Sequence, residues 1–209
     1  MSTADILGVT DVLNDAQLYD EIKNPKREGW KLKSEHKGDQ CYNKRFPIGK
    51  IYTTKKVVNA PVEDVFEDHW KNIESTPSWN PTTDYTKRIA QISEYSDIIQ
   101  YALSDVALLK GKEFVVCRMY RKVDNGYVVV ASSFDTKLPV VPKKNRAKAV
   151  VIAGYFIGRS DGTTSIEYIV SVELNDKLIP EALLSKSIAD SLLKDARSAF
   201  KYVEANVKK

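Results

Sequence analysis

The chain has 209 residues, of which 43% are hydrophobic and 29% charged, and its 32 Lys and Arg against 28 Asp and Glu leave a net charge of +4. That length suits one domain over residues 1–209 with a sizeable core, and the composition excludes a disordered chain. No apolar run approaches the ~18 residues of a membrane-spanning helix, and the spread-out positive charge argues against nucleic acid as a partner.

Residues 3–24 carry Ile6, Val9, Val12, Leu13, Leu18 and Ile22 at helical spacing among acids, so a helix is expected there. The N-terminus lacks the basic and apolar regions of a secretory signal. Cys41 and Cys117 lie too far apart in the chain for a disulfide framework or a metal pair, which suits a reducing, cytoplasmic setting. Turn residues follow at 24–29, and strand patterns at 30–35 and 51–58. Asn59-Ala60-Pro61 reads as a helix start, with Asn59 as the cap and Val62, Val65, Phe66 and Trp70 as the apolar side. Residues 75–81 read as irregular, held by Pro77 and Pro81.

Strands are expected at 88–94, 96–103, 113–123, 127–134, 148–158 and 164–174. The breaks at Asp124-Asn125-Gly126 and Ser160-Asp161-Gly162 offer residues that tolerate positive φ, as hairpin turns require. Successive hairpins make an antiparallel sheet. After Pro180 the period switches to a helix of about 25 residues, with Leu184, Ile188, Leu192, Ala196, Phe200 and Val203 on one stripe. A long sheet followed by one amphipathic helix is an α+β arrangement, with core or cavity between them.

Two features suggest a pocket. Val106-Ala107-Leu108-Leu109 puts four apolar residues where a connection between strands should be polar, and such a tip usually touches something apolar. The next strand places Phe114, Val116 and Arg118 on one face, so a guanidinium joins a face that otherwise looks buried. Two readings of Arg118 stay open: it faces a cavity, or the phase is off by one and it pairs at the surface. The basic run from Lys143 to Lys148 reads as a solvated loop or a contact for an anionic membrane.

Catalytic signals are sparse. His36 at a charged strand end and His69 beside Asp68 read as solvated or surface-paired imidazoles. Gly111-Lys112 lacks the glycine-rich lead-in of a phosphate loop, and no metal-ligand spacing occurs, so no enzyme activity, cofactor or metal is expected.

Gly29-Trp30-Lys31, Asn59-Ala60-Pro61 with the following Val-Glu-Asp-Val-Phe, Trp79-Asn80-Pro81, Gly111-Lys112-Glu113-Phe114-Val115 and Arg146 stand in the order found in the START (steroidogenic acute regulatory protein-related lipid transfer) domain. The chain resembles the small, soluble, sterol-carrying members of that family along nearly its whole length. The resemblance implies a helix-grip fold: a bent antiparallel sheet wrapped around the C-terminal helix and enclosing a hydrophobic tunnel. It implies non-enzymatic binding of a sterol or similar lipid and its transfer between membranes by a monomer that touches membrane surfaces transiently. Carotenoids are an alternative ligand, and an enzyme on the same scaffold or a lipid-gated interaction module are alternative functions.

On this reading Arg118, Phe114, Val116, Ser132, Ser133, Tyr168, Leu184, Ile188 and Leu192 contact the ligand. Tyr168 stands where a tryptophan is common in the family. The hydroxyls of Ser132 and Ser133 read equally well as satisfied by neighbouring backbone. Val106, Leu108 and Leu109, flanked by Lys110 and Lys112, form a gate that dips into the bilayer. Family members often pair the arginine matching Arg118 with an acid. Here Asp97 and Asp105 are the nearest acids and sit at strand ends, so no clear partner is expected.

Overall fold

Alternation with a period of two runs through most of the chain between Lys31 and Glu173, and the computed structural model places nine strands there. The structure describes residues 27–105, 110–134, 144–174 and 179–206. The helix expected over 3–24 and the apolar tip at 106–109 lie outside the described residues. The strands are β1 (Lys31–His36), β2 (Asp39–Phe46), β3 (Gly49–Val58), β4 (Thr83–Ser93), β5 (Ser96–Leu103), β6 (Glu113–Val123), β7 (Gly126–Ser133), β8 (Lys148–Gly158) and β9 (Thr164–Glu173). They form one antiparallel sheet in the order β1-β2-β3-β9-β8-β7-β6-β5-β4.

Both expected hairpins close through residues in the left-handed region, Asn125 (φ 61°) before β7 and Gly162 (φ 81°) before β9. A third such turn, Lys37 (φ 52°) and Gly38 (φ 85°), joins β1 to β2. β2 was not among the expected strands. Its sequence is mostly polar, and burial of Cys41 and Asn43 alone marks its inner face.

Between β3 and β4 lie α1 (Val62–Trp70), a 3-10 turn (Ile73–Ser75) and α2 (Thr76–Trp79). Two corrections follow. Pro61, not Asn59, occupies the cap position of α1, and no side chain caps it. The segment expected to be irregular is helical, because Pro77 stands in the first turn of α2, where its missing N–H costs nothing.

The final helix, α3 (Glu181–Asn206), spans 26 residues and is about 39 Å long. Its backbone comes nearest to β1, β2, β3 and α2. Ile188, Leu192, Ala196, Phe200 and Val203 of the expected stripe are buried. Leu184 is only half-buried, at the edge of the cluster formed by Cys41, Tyr52 and Leu193. On the other face of the sheet a separate cluster gathers Trp30, Ile51, Cys117, Val130 and Ile169. Both cysteines are free and buried, on opposite faces, and burial pushes the Cys41 thiol up to about 12.

Phe200 is fully buried and stacks on Tyr168 at 5.8 Å between ring centres. Phe200→Ala is therefore expected to lower stability by about 3–5 kcal/mol in urea unfolding. A loss below about 1 kcal/mol contradicts this packing.

Candidate functional site

The register decides which side chains share the space between sheet and helix. β5 and β6 pair Tyr101 with Phe114, Ile99 with Val116 and Asp97 with Arg118, so these six point to one face. β8 and β9 set Ile152 beside Val170 and Gly154 beside Tyr168. Gly154 is required: a Cβ there would lie 2.6 Å from the Phe156 ring. From α3, Ile188, Leu192 and Asp195 close the opposite wall, and His69 of α1 and Asn80 close one end. The cavity between them has a volume of about 270 Å³ and a mainly apolar lining. That is close to the lower end of the ~300–1,000 Å³ typical of small-molecule sites.

Arg118 lines this cavity and is 3% exposed, so of the two readings left open the cavity-facing one is observed. The expectation that it lacks a clear acid partner is corrected. Its Nε donates to Asp97 Oδ1 (2.8 Å) and its Nη2 to Asp97 Oδ2 (2.6 Å), a bidentate pair with a fully buried carboxylate. Asp97 sits at the start of β5, yet the antiparallel register sets it directly opposite Arg118. Nη1 donates to the His69 carbonyl (3.1 Å) and Nη2 to the Trp70 carbonyl (3.2 Å), while the guanidinium carbon lies 4.4 Å from the Trp70 ring centre. Arg88 adds Nε to Asp97 (2.9 Å) and Nη2 to the Trp70 and Lys71 carbonyls. Two arginines thus satisfy the last carbonyls of α1, which have no partners within the helix, and both pair with one carboxylate.

His69 is not the surface imidazole expected. Nδ1 lies 2.7 Å from the Val65 carbonyl, which can only accept, so Nδ1 carries the proton. Nε2 then accepts the hydroxyl hydrogen of Tyr168. Burial holds the imidazole below its usual range and the Tyr168 phenol above its own, so both stay neutral. Nearby, Asp195 accepts from Thr82 Oγ1 (2.7 Å) and from Asn80 Nδ2, and burial raises its carboxyl.

Of the residues expected to contact ligand, the cavity brings together Arg118, Phe114, Val116, Tyr168, Ile188 and Leu192. Ser132, Ser133 and Leu184 are not among its lining residues. Ser132 Oγ donates to the Val150 carbonyl (2.9 Å) and Ser133 Oγ accepts from the Ala149 amide (3.0 Å), so β8 satisfies both hydroxyls. Leu184 stands near the start of α3, beside that helix's contact with β3 rather than over the cavity. Asp195, Tyr101 and His69 were missed. Asp195 lies three residues beyond Leu192, on the same side of a helix, and that spacing was the available signal.

Val106, Leu108 and Leu109 fall outside the described residues. The ends of their loop, at Ser104 and at Lys110 to Lys112, border the cavity. Lys110 is exposed and pairs with Asp105 (2.8 Å), whereas Lys112 is 8% exposed and so does not face headgroups as expected. Gly111 permits the close approach here, since a Cβ would lie 2.2 Å from the Leu103 carbonyl oxygen. The basic run is also engaged within the protein: Lys144 pairs with Asp84, and Arg146 Nε donates to buried Glu113 (3.0 Å). Acids from β4 and β6, distant in sequence, meet these cations, which the sequence reading as a solvated or membrane-facing run did not anticipate. Among the described residues no three His, Cys, Asp or Glu side chains converge as a metal site needs, and no helix is long and apolar enough to cross a membrane.

Two outcomes are expected. Asp97→Asn leaves the Arg118 guanidinium buried without its anion and should cost about 3–5 kcal/mol in chemical unfolding. A change below about 1 kcal/mol contradicts the pair. The lowered His69 pKa means that the unfolded chain takes up this proton first, at about pH 6.5, while the folded state resists it. Stability should therefore fall as pH drops below about 6.5, and His69→Gln should flatten that slope in unfolding curves from pH 7 to 5. Equal slopes in the two proteins contradict it.

Residues 14–209 match the START domain family. A stretch of 121 residues, 57% of this chain, is 35% identical to Steroidogenic acute regulatory-like protein 1 of Caenorhabditis elegans and spans 46% of that protein. Over 190 residues, 86% of this chain, it is 23% identical to the mitochondrial Steroidogenic acute regulatory protein of Mus musculus, covering 66% of it. The chain thus spans about half to two thirds of the length of these curated relatives. Human StAR-related lipid transfer protein 5 superposes with a TM-score of 0.82 over 98% of this chain and 99% of its own, at 16% identity. The match of the family across nearly the whole sequence, on a sheet that grips its C-terminal helix around a cavity, makes this chain a member of the START domain family.

Proposed function

We propose that this protein binds one molecule of a sterol or similarly apolar lipid in the cavity and carries it between membranes without covalent chemistry. The observation that carries the reading is a mainly apolar cavity, built from both layers of the fold, whose wall holds a few fixed polar groups. The names of the similar proteins point the same way. Burying an apolar lipid here replaces its contact with water, at roughly 25 cal/mol per Å² of apolar surface, and so lowers the barrier to crossing the aqueous phase. The reducing cytosol is the fitting compartment, since Cys41 and Cys117 are free thiols.

Entry runs past the loop whose ends border the cavity. Val106, Leu108 and Leu109 are its membrane-touching side chains, each contributing about 1.5–3 kcal/mol when moved from water into lipid. That is enough for a transient visit. A carotenoid is the second ligand reading. The buried Arg118 and Asp97 need no ligand oxygen, and a rod-like molecule with few polar groups is compatible with them.

Exposure of the purified protein to a mixed cell-lipid and carotenoid pool, followed by solvent extraction and mass spectrometry, should recover close to one lipid per chain. A colourless sterol-bearing complex supports the first ligand, a coloured complex the second, and no retained lipid contradicts the carrier. Leu108→Asp with Leu109→Asp should slow liposome-to-liposome transfer several-fold with the folded circular dichroism spectrum unchanged. An unchanged rate removes the gate.

A further inference from the structure

Few polar atoms face the cavity, and their bonding states differ. Arg118 is nearly used up: Nε and Nη2 serve Asp97, Nη2 also serves the Trp70 carbonyl and Nη1 the His69 carbonyl, leaving one N–H on Nη1. The Tyr168 hydroxyl gives its only proton to His69 Nε2, because the His69 proton sits on Nδ1 against the Val65 carbonyl. Tyr168 therefore shows only lone pairs to any other group.

Asp195 differs. Both of its hydrogen bonds, from Asn80 Nδ2 and Thr82 Oγ1, reach Oδ1, and among the described residues nothing donates to Oδ2. Asp195 and Tyr101 line the same cavity as the bonded pair His69 and Tyr168. The Tyr101 ring stacks on Phe114 at 5.1 Å, and its hydroxyl has no hydrogen-bond partner among the described residues. A carboxylate oxygen without a donor and a phenol without a partner, both on the wall of an apolar cavity, call for a ligand group that gives one hydrogen bond and takes another.

We infer that Asp195 and Tyr101 form the polar anchor of the cavity and select a lipid carrying a hydroxyl over the same lipid carrying a ketone. An alcohol donates to Asp195 Oδ2 and accepts from Tyr101. A ketone can only accept, so it leaves the carboxylate unpaired and sets its own oxygen against the lone pairs of Asp195 and Tyr168. An ammonium cannot accept the Tyr101 proton. The inference rests on the carrier reading above and names the ligand group that the carrier reads. Leaving a charged acceptor unpaired corresponds to a preference of about 10- to 100-fold for the alcohol.

The test offers wild-type protein equal amounts of 5α-cholestan-3β-ol and 5α-cholestan-3-one, delivered from cyclodextrin, and measures the retained ratio by mass spectrometry. At least tenfold enrichment of the alcohol is expected. Asp195→Asn should abolish the preference: its oxygen can keep the bonds from Asn80 and Thr82 while its NH2 turns to the cavity and donates to a ketone or an alcohol alike. Equal retention by wild type, or an alcohol preference that survives in folded Asp195→Asn, overturns the anchor and leaves the carrier reading standing. Retention of neither sterol overturns both for sterol-sized lipids. Should the variant not fold, the wild-type ratio alone decides.

Discussion

A single helix cannot cover a nine-stranded sheet. The backbone of α3 lies close to β1, β2 and β3, while α1 lies close to β7 and β8 and α2 to β4, and the cavity is left between these helices and the sheet. Large side chains fill that space at the Phe200 end, where Tyr168, Phe156, Phe66 and Trp70 interlock. Between that cluster and the Tyr101–Phe114 stack the lining includes the shorter Ile99, Val116 and Ala131, and the cavity lies there. The binding space thus follows from the proportions of the fold.

Polar groups inside such a space must satisfy one another. Arg118 and Asp97 do so across adjacent strands, and the surplus guanidinium hydrogens cap α1. That arrangement ties the sheet to α1, and through the helix it fixes His69 where Tyr168 can donate to it. One ion pair therefore orients the hydrogen bond between His69 and Tyr168. Asp195 belongs to a second set, held by Asn80 and Thr82 after α2. The first set is closed within the protein, whereas the second retains an acceptor that faces the cavity.

Much of this was legible in the sequence. The alternation of Phe114, Val116 and Arg118 located the inner face of β6, and the stripe from Ile188 to Val203 located the buried side of α3, because both periods are set by backbone geometry alone. What escaped depends on pairing between distant residues. Asp97 was discounted because it opens a strand, a position that says nothing about the residue opposite. His69 sits among charged residues in sequence, yet the helical turn aims it inward while Asp68 and Glu67 remain near the surface. Lys144 and Arg146 read as a loose basic run until β4 and β6 supply their acids. Ser132 and Ser133 offered hydroxyls that the neighbouring strand had already engaged.

The central claim is that lipid enters between sheet and helix rather than adhering to the other face of the sheet. Methyl NMR during titration with cyclodextrin-solubilised lipid extract tests it most directly. The account predicts that methyl signals of Ile99, Ile152 and Ile188 shift to saturation at about one lipid per chain, while those of Ile51 and Ile169 hold still. Shifts confined to Ile51 and Ile169, or none at all, contradict it.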